Sequence, residues 1–106
     1  MTCVFPAVGQ RTRADFIAFP VELEFASHTS LTYYNVNSNG KIVGSETVTT
    51  RVEPITDQIF LVTWQESDKT AVVHVEDYQK RTIVTNITNP PDLTFGRHHG
   101  AFKQLS

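Results

Sequence analysis

Cysteine is almost missing from these 106 residues: Cys3 stands alone. No internal disulfide can form, which favours a reducing compartment. An excess of one charge is missing as well. Nine Lys and Arg face eleven Asp and Glu, giving a net charge of −2. No basic run occurs, so nucleic acid and anionic membrane surfaces are poor partners. No apolar stretch approaches the roughly 20 residues that a membrane helix needs. The apolar part of MTCVFPAVGQRTR is too short for the core of a secretion signal. A cytoplasmic protein is therefore expected, in which the Asn86-Ile87-Thr88 sequon carries no weight. Helical periodicity is not sustained anywhere. Also lacking are a Gly-rich phosphate loop, a nucleophile elbow and a Ser/His/Asp arrangement.

What is present is an ordinary globular balance, 40% hydrophobic and 19% charged. The length suits one domain, residues 1–106, with a modest core. β-branched and aromatic residues gather in short runs, and turn signals separate the runs. Strands are expected at Ala7–Arg13, Phe19–Ala26, Leu31–Val36, Lys41–Val48, Thr49–Glu53, Ile59–Glu66, Thr70–Tyr78, Arg81–Thr88, Leu93–His98 and Ala101–Gln104, some of which will merge. Asn37-Ser38-Asn39-Gly40 tolerates positive φ and marks a turn. Glu53-Pro54 and Asn89-Pro90-Pro91-Asp92 interrupt strands, because Pro lacks the N–H that a ladder needs. Ala14–Phe19 could form a helical turn. Consecutive short hairpins without helices predict an all-β fold, a small antiparallel lipocalin-like (calycin-type) barrel of about eight strands.

The most informative stretch is Thr63–Tyr78, TWQESDKTAVVHVEDY. A three-residue loop Ser67-Asp68-Lys69 would pair Glu66 with Thr70, Trp64 with Val72, Val62 with His74 and Phe60 with Glu76. A three-residue loop Gln79-Lys80-Arg81 would pair Tyr78 with Thr82, Glu76 with Val84 and His74 with Asn86. The two-residue period then puts Phe60, Val62, Trp64, Glu66, Val72, His74, Glu76, Tyr78, Val84 and Asn86 on one face. The opposite face, with Leu61, Val73, Val75, Ile83, Thr85 and Ile87, is the greasier in its middle. Either the mixed face looks at solvent and the greasy face is the core, or the mixed face lines a pocket.

The segments FLVTWQE (Phe60–Glu66), VVHVEDY (Val72–Tyr78) and TNIT (Thr85–Thr88) resemble the MoaF family, named after molybdenum cofactor biosynthesis protein F. Val21–Phe25, Leu31–Tyr34 and Leu93–Gly100 are similar to its other strands. The resemblance implies a lipocalin-like barrel and leaves the activity open. The family's full protein has two related halves, whereas one is seen here. Lys69 and Arg81 stand where family turns often carry Gly.

His74 and Glu76 are the candidate acid–base pair. Trp64, Phe60, Val62 and Val84 would pack a ligand, and Glu66 and Asn86 would orient it. A metal would need a third ligand beside His74 and Glu76, and only Glu66 is near, so no metal and no cofactor are expected. His98 and His99 are strand neighbours and point opposite ways. Three readings follow: a binder of a small organic ligand, a cofactor-independent isomerase, cyclase or lyase using His74 and Glu76, and a homodimeric interaction module that buries the greasy face.

Overall fold

A computed structural model describes residues 5–90 and 92–105. Cys3 and Pro91 lie outside the described residues. Eight strands follow one another: β1 (Arg11–Phe16), β2 (Pro20–Phe25), β3 (Ser30–Val36), β4 (Ile42–Pro54), β5 (Ile59–Gln65), β6 (Ala71–Asp77), β7 (Thr82–Asn89) and β8 (Thr94–Gln104). Each pairs antiparallel with the next, and β8 returns to β1, so the sheet closes on itself. The all-β antiparallel barrel expected from the turn spacing is the fold.

Closure explains why two pairs of expected strands merge. Lys41–Val48 and Thr49–Glu53 become β4, whose first part pairs with β3 and whose last residues pair with β5. Leu93–His98 and Ala101–Gln104 become β8, which serves β7 and then β1. A strand that bends around a barrel can serve one neighbour and then the other along its length. The first strand starts later than expected. Gly9, at φ 79, turns the chain, its N–H bonded to Phe25 O, so only Arg11 onward joins the ladder. Ala14–Phe19 holds the end of β1 and a tight turn instead of a helical one.

Every second residue of each strand points inward, as the period of two requires. The two ends of the barrel are filled differently. At one end Phe5, from the segment before β1, packs edge-on against Phe25 at 4.9 Å, Phe60 at 5.1 Å and Tyr78 at 5.6 Å. Phe102 meets Tyr78 at 4.8 Å. T-shaped aromatic pairs fill volume and use the ring quadrupole, and they plug this end. The other end, where the β1–β2, β3–β4, β5–β6 and β7–β8 turns gather, is hollow.

Register decides which side chains reach the hollow. The β5–β6 hairpin has the expected register, with Phe60 opposite Glu76, Val62 opposite His74 and Trp64 opposite Val72. The β6–β7 hairpin does not. Asp77, not Tyr78, lies opposite Thr82, so His74 faces Thr85 and Glu76 faces Ile83. Two bonds cause the shift. Asp77 Oδ1 accepts the N–H groups of Gln79 and Lys80, starting the turn one residue early. Tyr78 N–H goes to Gln58 O instead. A one-residue slip turns a whole strand over. Ile83, Thr85 and Ile87 therefore face inward, whereas Val84 and Asn86, expected inside, are on the outer face.

Candidate functional site

The hollow end encloses a cavity of ≈190 Å³. Its apolar walls are Phe16, Phe19, Val21, Leu23, Val72 and Ile87, with the rings of Tyr33 and Trp64. Its polar groups are Asn35, Glu66, Thr70, His74, Thr85 and Asn89. A mostly apolar cavity with a few placed polar groups is what small-molecule sites have in common.

At the floor lies His74, almost fully buried. Its Nδ1 is 2.9 Å from Glu76 Oε2, and Glu76 Oε1 accepts the Tyr78 hydroxyl at 2.7 Å. Alternation along β6 causes this line-up: positions 74 and 76 share the inward face, and Tyr78 continues it into the aromatic plug. Burial, then the adjacent Glu76 charge, pushes the Tyr78 hydroxyl well above its ordinary value, so it stays a proton donor. With Nδ1 engaged by Glu76, the Nε2 edge of the ring is turned the other way, toward the cavity that His74 lines. Nε2 has no hydrogen-bond partner among the described residues. The Trp64 ring stands edge-to-face against His74 at 4.7 Å and fixes its plane.

Beside His74 on the same inward row is Thr85, 1% exposed, whose Oγ1 is buried without a partner among the described residues. A buried hydroxyl left unbonded costs about 1–3 kcal/mol, which makes it conspicuous. Next in that row comes His98, opposite Thr85 on β8, its ring edge-on to Phe19 at 5.2 Å. His99 faces out, as strand alternation required.

Around the mouth is an acidic cluster. Trp64 Nε1 donates to Glu66 Oε2 at 3.2 Å. Tyr33 donates its hydroxyl to Glu46 Oε1 at 2.7 Å, and Ser67 N–H bonds Glu46 Oε2 at 3.0 Å. Half-buried Glu66 is raised above the ordinary carboxylate value, mainly by loss of solvent. Glu46 is held below it, chiefly by the Tyr33 bond. Burial, then the Glu46 bond, raises the Tyr33 hydroxyl well above its ordinary value.

Of the residues singled out in the sequence, Trp64, Glu66 and His74 line the cavity, and Glu76 sits directly behind His74. Phe60 and Val62 lie deeper, in the packed core, and do not line it. Val84 and Asn86 are outside: Asn86 Oδ1 accepts from Arg97 Nε at 2.6 Å, and its Nδ2 bonds Val73 O. Sequence reasoning missed Phe16, Phe19, Tyr33 and Thr85. Thr85 was recoverable, because Asp77 is a strong turn initiator. The β1–β3 residues were not, since no turn fixed their register relative to β5–β7.

A family model described as MoaF-like matches residues 8–103. The chain belongs to the MoaF-like family. Among solved structures, this MoaF-like barrel superposes on a crystal structure described as that of a "putative beta-lactamase" from Burkholderia vietnamiensis. The TM-score is 0.86 at 20% identity, covering 98% of this chain and 100% of the other. At that identity the likeness concerns the fold. No curated protein matches.

Proposed function

We propose that this MoaF-like barrel binds a small, largely apolar organic molecule in its open half, with His74 and Thr85 hydrogen-bonding it from the floor. One observation carries the reading: Thr85 Oγ1, buried without a protein partner among the described residues, sits beside His74 at an apolar cavity. Such a group is normally satisfied, and a bound molecule would satisfy it while reaching the neighbouring imidazole. The volume suits a guest of one ring and a short tail, since a cavity of roughly 150 Å³ holds benzene. The test is a fragment titration followed by Trp64 fluorescence, which reports the cavity wall because Trp64 is the sole tryptophan. Saturable change that His74→Ala and Thr85→Val both weaken supports the reading. A wild-type signal unmoved by every fragment sinks it.

A second reading is favoured by the Tyr78–Glu76–His74 line. A carboxylate that orients imidazole Nδ1 and leaves Nε2 toward a cavity is the arrangement of a general base. His74 would then take a proton from the guest, in an isomerase, cyclase or lyase reaction. Turnover that survives replacement of both His74 and Glu76 would refute it. The β-lactamase label of the structural neighbour adds little support, because the described cavity lining offers no Ser, Cys or Lys as nucleophile or base.

A further inference from the structure

The chemical class of the guest can be narrowed, on the condition that the cavity is a binding site. Among the described lining residues Glu66 is the one carboxylate, and no Lys or Arg joins it. The groups that face Glu66 come from several elements: Tyr33 on β3, Glu46 on β4, Trp64 on β5 and Asp68 in the following turn. None of them carries positive charge, and two are carboxylates. They are also short of donors. The single Tyr33 hydroxyl serves Glu46, which has the Ser67 N–H besides. Glu66 has the longer indole bond and a share in the Tyr33 hydroxyl. The mouth thus presents a carboxylate, and the wall below it is aromatic and aliphatic.

We propose that the guest is a small organic cation, an arylalkyl-type amine. Its ammonium group lies against Glu66 at the mouth, and its hydrocarbon body packs between Phe16, Trp64 and Val72. An ammonium supplies charged donors, where Glu66 otherwise has only neutral ones, and is attracted to the surrounding ring faces. A charge-assisted bond to a carboxylate is roughly twice as strong as a neutral one. An anionic guest would meet Glu66, Glu46 and Asp68 with no Lys or Arg among the described lining residues to offset them.

The test uses three probes of one skeleton: phenethylamine, phenethyl alcohol and phenylacetate. Amide chemical shifts of the wild-type protein and of Glu66→Gln follow each titration. In wild type the amine should bind at least about tenfold tighter than the alcohol, and phenylacetate weakest. In Glu66→Gln the amine-to-alcohol ratio should fall to within about twofold of unity. Alcohol binding that equals or exceeds amine binding overturns the proposal and leaves the cavity as a binding site. The same holds for an amine preference that survives Glu66→Gln. If no probe shifts a cavity amide, the binding site itself is refuted and the cation with it. Gln is isosteric at this half-buried position, and a cooperative thermal transition no lower than that of wild type, with unchanged amide shifts away from the cavity, certifies the variant fold.

Discussion

Thr85 is the residue at which stability and the proposed binding pull apart. Val has nearly the same shape and no hydroxyl. Thr85→Val should therefore stabilise the empty protein by about 1 kcal/mol, read as a higher urea midpoint at unchanged slope. The same change should weaken any guest that bonds the hydroxyl. Glu76 behaves in the opposite way. It holds two donors at once, His74 Nδ1 and the Tyr78 hydroxyl. Glu76→Ala strands both in the core and should cost about 3 kcal/mol or more. A double-mutant cycle with Tyr78→Phe checks the cause, since the loss should shrink when the hydroxyl is already gone. Neither role could be read from residue type alone. His-x-Glu on a strand announced a shared face, but burial, and with it the proximity of Tyr78, depended on the plug formed by Phe5.

Among the elements, the hairpins show what local sequence can specify. The β5–β6 turn closes over three residues, with Glu66 N–H bonded to Thr70 O and Lys69 in the left-handed region at φ 76. Its length followed from Ser67-Asp68-Lys69, and so did the register of Trp64 and His74. The β6–β7 turn was read one residue short. Asp77 captures two N–H groups, Arg81 takes the left-handed conformation at φ 57, and β7 turns over, carrying Val84 and Asn86 outside. Alternation is legible from sequence; its phase rests on turn chemistry that a single carboxylate decides. The two strained positions also explain why Gly would suit these turns. Lys69→Gly and Arg81→Gly should each stabilise by about 0.5–1 kcal/mol, the reverse of placing a side chain at a positive-φ glycine. Thermal denaturation of each single variant measures it. The β1–β8 junction is tight in the opposite sense. A Cβ on Gly100 would run into the Asp15 carbonyl oxygen and come within 2.9 Å of Phe16 Cδ1. Gly100→Ala should lower stability by about 1–3 kcal/mol, with the amides of β1 and β8 losing hydrogen-exchange protection first.

For the whole molecule, the acidic mouth sets a pH signature. Glu66 has its folded-state pKa raised, so the folded protein binds a proton there more readily than the unfolded chain does. Its charge therefore opposes folding above the raised value, and that penalty fades as pH falls through it. Glu46 and Asp68 are shifted down, so their contribution is present at neutral pH and is lost as pH falls through their depressed values. Glu66→Gln should accordingly raise the denaturation midpoint at neutral pH, and the gain should disappear in acid. The same gain in acid as at neutral pH would locate the effect in packing instead of charge. The barrel's connectivity has a consequence for time as well as for energy. β1–β8 is the one pairing whose strands are not neighbours in the chain. All other strand pairings can zip locally, but this ring must be shut across nearly the full length, and loop closure over such a span is slow. The cavity takes its walls from β1 and from β7 alike, so no hairpin owns it and it comes into being only when the ring is shut. Whatever settles there would act as a clasp: by occupying the closed form alone, it would hold shut a seam that it touches on one side only.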